Sequence, residues 1–264
     1  MIQRKNPENN NSTVIFEEIK SFLYILLLAL CIRILVFEPF YIPSGSMRKT
    51  TIEGDYLFTS KYSYGYSKHS FIFSPNIFSG RILSSPPERG DIIIFRPPHQ
   101  MHERFIKRLI GLPGDKVEII NSIVYVNNEP LHREFKVAYE ENGISFNEYK
   151  EIASNGKFYT IRQINQDNTL EFSKKILYHA NNIGPFFVPQ DHYFLMGDNR
   201  DQSGDSRFEL GYVPFENFIS KVQFVFFSFG EKLWLDEMRP YDQLIQIFKW
   251  VQSFRFDRFF SKIE

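Results

Sequence analysis

Two short stretches of this chain set a hydroxyl and an amine where each could react. Pro43-Ser44-Gly45-Ser46-Met47 follows an apolar segment, and Arg104-Phe105-Ile106-Lys107-Arg108 places a lysine inside an apolar run. A serine nucleophile needs a base for its hydroxyl proton, and the usual base is histidine. Lysine can replace it only when burial or a neighbouring charge brings its pKa from about 10.4 toward neutrality. If the second stretch is a strand, Phe105 and Leu109 share the face of Lys107, because side chains alternate with period two. Moving the pKa from about 10.4 to about 8 takes roughly 3 kcal/mol, within what desolvation supplies. The competing reading makes Lys107 and Arg108 solvated charges at a rim. Gly45, just before Ser46, allows a tight backbone and close approach of a substrate, although Ser-Gly-Ser also suits a plain linker.

The elements that position these residues begin with an apolar segment. Phe22 to Ile32 is a continuous apolar run, followed by Arg33 and Ile34-Leu35-Val36-Phe37. At 1.5 Å per residue that is near the short limit for a hydrocarbon core of about 30 Å. Arg33 near one end can reach the headgroups. No small-x-small cleavage site follows, so the run reads as an uncleaved transmembrane anchor at 21–37 behind a polar tail at 1–20. Charges flank both sides, so they fix no orientation.

Beyond the span the chain reads as β. Asp91 to Phe95 has the continuous apolar character of a buried strand. Val117 to Ile120 and Ile123 to Val126 alternate with Asn121-Ser122 and Asn127-Asn128, as in tight hairpins. His192 to Met196 and Val222 to Phe227 are further strands. A polar, Asn-rich stretch at 131–185, with a weaker strand signal from Lys157 to Arg162, reads as an insertion or cap. Ser60 to Ser85 reads as a long exposed loop.

Composition narrows the classes. The 264 residues carry 31 basic and 31 acidic side chains, so no global field draws the chain to nucleic acid. Aromatics make up 17%, with 29 phenylalanines, which suits surface against lipid or peptide and equally a Phe-rich core. The only cysteine, Cys31, excludes an intramolecular disulfide. No paired-cysteine or His-Glu-x-x-His pattern calls for a metal, and nothing calls for a cofactor.

A further ordered set settles the class. Gly54-Asp55, Arg89-Gly90-Asp91, Gly111-Leu112-Pro113-Gly114-Asp115 and the block from Gly197-Asp198-Asn199 to Gly204-Asp205-Ser206-Arg207 accompany the two reactive stretches. Together, from about Phe37 to Pro214, they resemble the bacterial type I signal peptidases (leader peptidases). The resemblance implies a mainly β, antiparallel-sheet catalytic domain (38–230) behind one N-terminal transmembrane helix. It implies a serine endopeptidase that removes signal peptides from exported preproteins after small, Ala-x-Ala-like residues. Ser46 would be the nucleophile and Lys107 the base that later returns the proton to the leaving amine. Ser44 matches the hydroxyl that forms the oxyanion hole with the Ser46 N–H. Ser203 matches the serine that orients the lysine, and Asp205 and Arg207 a supporting ion pair. Phe40, Ile42, Pro43, Met47, Phe105 and Ile106 match the walls of shallow substrate pockets. The implied partners are signal peptides, the lipid bilayer and the secretion translocon. The implied place is the bacterial inner membrane, with a cytoplasmic N-terminus and the catalytic domain on the periplasmic face.

The chain departs from the pattern at Arg48-Lys49-Thr50-Thr51, where relatives usually carry a Pro before the Thr and an apolar residue in place of Thr51. Six histidines (His69, His99, His102, His132, His179 and His192) could in principle serve Ser46, but none lies in a triad-like motif. A Ser/Lys self-cleaving regulator would need a helix-turn-helix where this chain has its apolar span. A tethered β-domain that only binds peptides is the non-enzyme alternative. In the 231–264 tail, Leu244, Ile247, Phe248, Val251 and Phe254 recur at helical spacing. Trp250, Phe256, Phe259 and Phe260 alternate with Lys249, Arg255, Arg258 and Lys262, which suits a membrane interface or packing onto the domain.

Overall fold

The apolar run at 92–95 becomes a strand because the sheet around it is covered on both faces. Ile92 and Ile94 enter one apolar cluster, with Leu57, Ile106 and Val225; Ile93 and Phe95 enter another, with Leu109, Leu195 and Phe218. Period-two alternation then makes every position apolar. The computed structural model describes residues 8–71, 73–76, 78–165, 180–230 and 249–263.

In these residues α1 (Glu8–Leu35) is followed by β1 (Phe37–Tyr41), β2 (Asp55–Ser60), β3 (Ile92–Phe95), β4 (Phe105–Gly111), β5 (Lys116–Ile120), β6 (Ile123–Val126) and β7 (Glu129–Pro130). Then come β8 (His132–Glu141), β9 (Ile144–Ile152), β10 (Phe158–Ile164), β11 (Ile183–Phe187), β12 (His192–Met196), β13 (Val213–Pro214) and β14 (Phe218–Ser228). A seven-stranded antiparallel sheet runs β1-β2-β14-β3-β4-β12-β13. Beside it stand a four-stranded sheet, β11-β5-β6-β7, and a three-stranded one, β10-β9-β8. The mainly β, antiparallel expectation is met. The β5–β6 turn has Asn121 and Ser122 at φ 50° and 67°, and Asn127 and Asn128 after β6 are also left-handed, as tight hairpins need.

Several expectations change. The helix starts at Glu8, well before the 21–37 span, and ends at Leu35, so that Phe37 opens a strand. Among the described residues no helix is long and apolar enough to cross a membrane. Glu17, Glu18 and Lys20 interrupt the first half of α1, and Arg33 its last turn. Of the 131–185 cap, β8 to β10 form their own sheet, whereas β11 pairs with β5 and Leu131 is buried in a core cluster. The 60–85 loop is not simply exposed. Tyr64 is buried and donates to Asp91 at 3.0 Å, while Arg81 donates to the carbonyls of Tyr64, Gly65, Phe215 and Phe218. Those bonds satisfy backbone that an exposed loop would leave to water.

The chain's last described segment packs back onto the domain. Phe254 bridges to Phe229, Lys262 bridges to Phe224, and Arg258 clamps Asp55 at 2.6 and 3.0 Å. Leu244, Ile247 and Phe248 lie outside the described residues, as do residues 1–7 of the tail and 166–179 of the cap.

Candidate active site

Ser46 sits in a single 3-10 turn, Gly45–Met47, between β1 and β2. Met47, fully buried, plugs the turn into the cluster of Phe40, Ile42, Leu57 and Ile106. The backbone N–H of Asn199 donates to Ser46 O at 3.1 Å, and Asn199 Nδ2 donates to Gly45 O at 2.9 Å. The turn is thus held from below by its own side chain and from beside by the loop after β12.

Lys107 projects from β4, opposite Ile93 of β3. Its Nζ donates to Ser46 Oγ at 2.7 Å, and the residue is 4% exposed. The rim reading of Lys107 and Arg108 is therefore wrong: both are buried. Burial, an opposing effect of Asp205 and Asp198 notwithstanding, brings the Lys107 pKa down to about 8. Phe105 lies on the same face, its ring centroid 5.8 Å from Nζ. His69, His99, His102, His132 and His192 make no hydrogen bond to Ser46; His179 lies outside the described residues.

Asp205 and Arg207 form a fully buried pair, Nε to Oδ1 and Nη2 to Oδ2 both at 2.9 Å, and Asp205 also accepts from Gly197 N–H at 3.0 Å. Although burial alone would raise it, the Arg207 guanidinium and these bonds hold the Asp205 carboxyl below the usual carboxylate range. A solvated turn is excluded. Ser203 is placed differently from expectation. Its Oγ is buried and has no hydrogen-bond partner among the described residues, so it makes no bond to Lys107. Ser44 is exposed and extended (φ −132°, ψ 153°), and its hydroxyl does not cap the turn. Of the six residues matched to pocket walls, Phe40, Ile42, Met47 and Ile106 are buried in the core, Phe105 is half-buried, and Pro43 is exposed.

Residues given no role by the sequence reading complete the site. Arg108 Nε and Nη2 donate to both oxygens of Asp198 at 2.8 Å, the guanidinium lies 3.9 Å from the Tyr159 ring centroid, and Thr50 Oγ1 also donates to Asp198. This pair joins β4 to the loop after β12, next to Ser46 and Lys107. The signal available was Arg108 itself, since an arginine in a buried strand requires a carboxylate. The departing residues also acquire partners. Arg48 holds Glu53 at 2.7 and 2.8 Å and Glu141 at 2.9 Å, and Lys49 holds Glu148 at 3.3 Å, strapping the Ser46 turn to the β8–β9 hairpin.

A family model described as signal peptidase, peptidase S26, matches residues 15–227. The chain belongs to that family. Signal peptidase I of Rickettsia bellii (strain OSU 85-389) is 45% identical over 261 residues, covering 98% of this chain and 89% of the relative. Signal peptidase I of Rickettsia massiliae (strain Mtu5) is 42% identical over 266 residues, covering 99% and 98%. A solved signal peptidase I from Enterococcus faecalis V583 is 30% identical, covers 52% of this chain and 97% of that chain, and superposes with a TM-score of 0.31.

One glycine beside Ser46 is dictated by space. A Cβ on Gly197 would lie 2.5 Å from the carbonyl oxygen of Ser46 and 2.2 Å from Ser203 Oγ. Ser46 O is backbone and cannot swing away. Gly197→Ala is expected to displace the Ser46 turn and, if that turn carries the reaction, to lower kcat about a hundredfold. Assay of the purified variant checks this; wild-type kcat would mean that the turn is not held there.

Proposed function

We propose that this chain is a serine endopeptidase that removes signal peptides from exported preproteins through a Ser46/Lys107 dyad. The observation that carries the reading is Lys107 Nζ at 2.7 Å from Ser46 Oγ, in a setting that lowers the lysine pKa to about 8. The membership of the family, and relatives that are named signal peptidase I, support the substrate class.

In this mechanism neutral Lys107 accepts the Ser46 hydroxyl proton as Oγ attacks the scissile carbonyl. The Ser46 N–H and the Ser44 hydroxyl stabilise the oxyanion, each donor contributing a few kcal/mol in the transition state. The lysine ammonium then protonates the leaving amine, freeing the mature protein. Water, deprotonated by the same lysine, releases the signal peptide from the acyl-enzyme. Asp205 and Arg207 support the loop that carries Ser203. Rotation of the unpartnered Ser203 hydroxyl toward Nζ would orient the base. Pro43, Phe105 and the edges of Phe40, Ile42, Met47 and Ile106 would form the shallow walls that select small side chains.

Activity should rise with pH along a limb centred near 8, because only the neutral amine accepts the proton. A pH profile of kcat/KM checks it. A limb near 6.5 that disappears when one histidine is replaced would replace the dyad with a Ser-His mechanism.

The proposal includes a membrane anchor. Phe22, Leu23, Tyr24, Ile25, Leu27 and Leu28 are each more than half exposed, so the helix presents apolar side chains on every side rather than one face to the domain. Such a surface suits lipid. Ser46, nine residues after Phe37, would then work close to the membrane surface, where signal peptides arrive as apolar helices from the translocon. The N-terminus would be cytoplasmic and the domain periplasmic. Protease added outside intact spheroplasts should digest the chain from about Glu38 onward and spare the N-terminal tail. Digestion from the cytoplasmic side alone would overturn both topology and substrate class.

A further inference from the structure

Where α1 ends, the domain opens a cavity of about 700 Å³, lined by Arg33, Glu38, Lys61, His69, Arg96 and Arg104 among others. Four permanent cations face one carboxylate. Glu38 is shared by Lys61, at 2.9 Å, and Arg104, at 2.6 Å, which leaves Arg33 and Arg96 without a carboxylate partner among the described residues. Arg96 donates to the Met101 carbonyl through Nη1, but its buried Nε has no partner. His69 is 4% exposed, and neither of its ring nitrogens has a hydrogen-bond partner among the described residues; the buried Ser74 Oγ also lacks one. Unmet donors at this depth cost free energy unless a ligand takes them up. The unmet groups are mostly donors, and the excess charge is positive. The group that answers both is an anion with several acceptor oxygens.

We propose that this cavity binds the phosphate of an anionic phospholipid headgroup, with Arg33 and Arg96 as the charge partners and His69 and Ser74 as hydrogen-bond donors. Phosphate chemistry could equally come from a free anion. Its position favours the lipid. Arg33 and Ile34 of the cavity wall belong to the last turn of α1, and Tyr66 and Lys61 bond to the carbonyls of Leu35 and Val36, so the cavity is fastened to the end of the apolar helix. Phe73, also on the rim, is 94% exposed, an apolar contact for the glycerol and acyl region. The inference rests on the proposal that α1 lies in a bilayer, and it adds a specific lipid contact that would fix the depth of the domain at the membrane.

The test uses the full chain in detergent with equal phosphatidylglycerol and phosphatidylcholine, with retained lipid read by native mass spectrometry. The wild type should retain one phosphatidylglycerol in preference to phosphatidylcholine. Arg33→Gln should weaken retention about fivefold and Arg33→Gln/Arg96→Gln about thirtyfold, as expected for charges near a lipid surface. Lys116→Gln/Lys136→Gln, which removes the same charge outside the cavity, should leave it unchanged. Unaltered peptidase activity in detergent reports an intact fold, and Arg33→Gln, with no ion pair to lose, keeps the test open should the double variant misfold. Equal retention of both lipids, or full retention by the folded Arg33→Gln variant, overturns the site. Displacement of the lipid by millimolar inorganic phosphate overturns the lipid source. Flotation on pure phosphatidylcholine vesicles tests α1 separately: it should persist in every variant, and its absence in the wild type would end the anchor reading and the lipid assignment with it.

Discussion

Lys107→Met is expected to abolish proteolysis while making the domain more stable. Loss of the base should cost at least about 10³-fold in kcat/KM, the scale seen when a member of a nucleophile–base pair is removed. The gain in stability has a separate cause. Lys107 is buried with its pKa brought from 10.5 to about 8, so the fold holds the charged form roughly 3 kcal/mol less favourably than water does. Methionine has similar length and no charge to desolvate. The sign follows from linkage: the unfolded chain binds the lysine proton more tightly between pH 8 and 10.5, so the penalty is full below 8 and fades as pH rises to 10.5. The melting temperature of the variant should therefore exceed the wild type by roughly 6–10 °C at neutral pH, with the difference shrinking toward pH 10.5. Ser46→Ala should lose activity equally with little change in stability. Wild-type cleavage by either variant would end the dyad proposal, and a destabilised Lys107→Met would mean that the charge is compensated.

Glu151→Ala is expected to be among the most destabilising single changes in the chain. Glu151 of β9 and Arg200 are each 1% exposed at the side chain, with Arg200 Nη1 donating to Oε2 at 2.9 Å, Nη2 also bonded, and Tyr159 OH donating to Oε1 at 2.8 Å. Removing the carboxylate leaves a guanidinium in the interior, a loss of about 3–5 kcal/mol, or roughly 10 °C in melting temperature for a domain of this size. Because Arg200 follows Asn199, whose N–H holds the Ser46 carbonyl, activity should fall along with stability. Glu151→Leu/Arg200→Met should recover most of the lost stability, since a well-packed apolar pair can replace a buried ion pair. Calorimetry of both proteins checks it; a single variant as stable as the wild type would show that water reaches Arg200.

These buried ion pairs also show where the sequence stops being readable. The strands at 92–95, 117–126 and 192–196 announce themselves because alternation and hairpin asparagines are local signals. Ser46 and Lys107 were legible as a pair only through the ordered motifs from Gly54-Asp55 to Arg207, because spacing alone also suited a lysine solvated at a rim. Arg108 with Asp198, and Arg200 with Glu151, were not, because nothing local tells a charged residue which distant carboxylate it will meet. The loop at 60–85 misled for a similar reason: its Tyr-, Ser- and Phe-rich composition looks solvent-facing, yet Tyr64 bonds to Asp91 just before β3 and Arg81 to the carbonyls of Phe215 and Phe218. The start of α1 at Glu8 was missed because an apolar run marks only one stretch of a helix, not where its hydrogen bonding begins.

The strand order places β14 between β2 and β3, so the last long strand is the one that joins the sheet's first pair to the rest. Ser46 lies on the side of β1 and β2, and Lys107 on β4, beyond that join. The loop that holds Ser46 in place comes from 197–207, some 150 residues after it in the chain. A chain still being synthesised therefore has Ser46 and Lys107 on separate, unjoined pieces. Contacts so far apart in sequence are slow to form, because the loop between them must close first. If Ser46 and Lys107 act as proposed, the chain is therefore inactive until β14 has joined the two parts of the sheet.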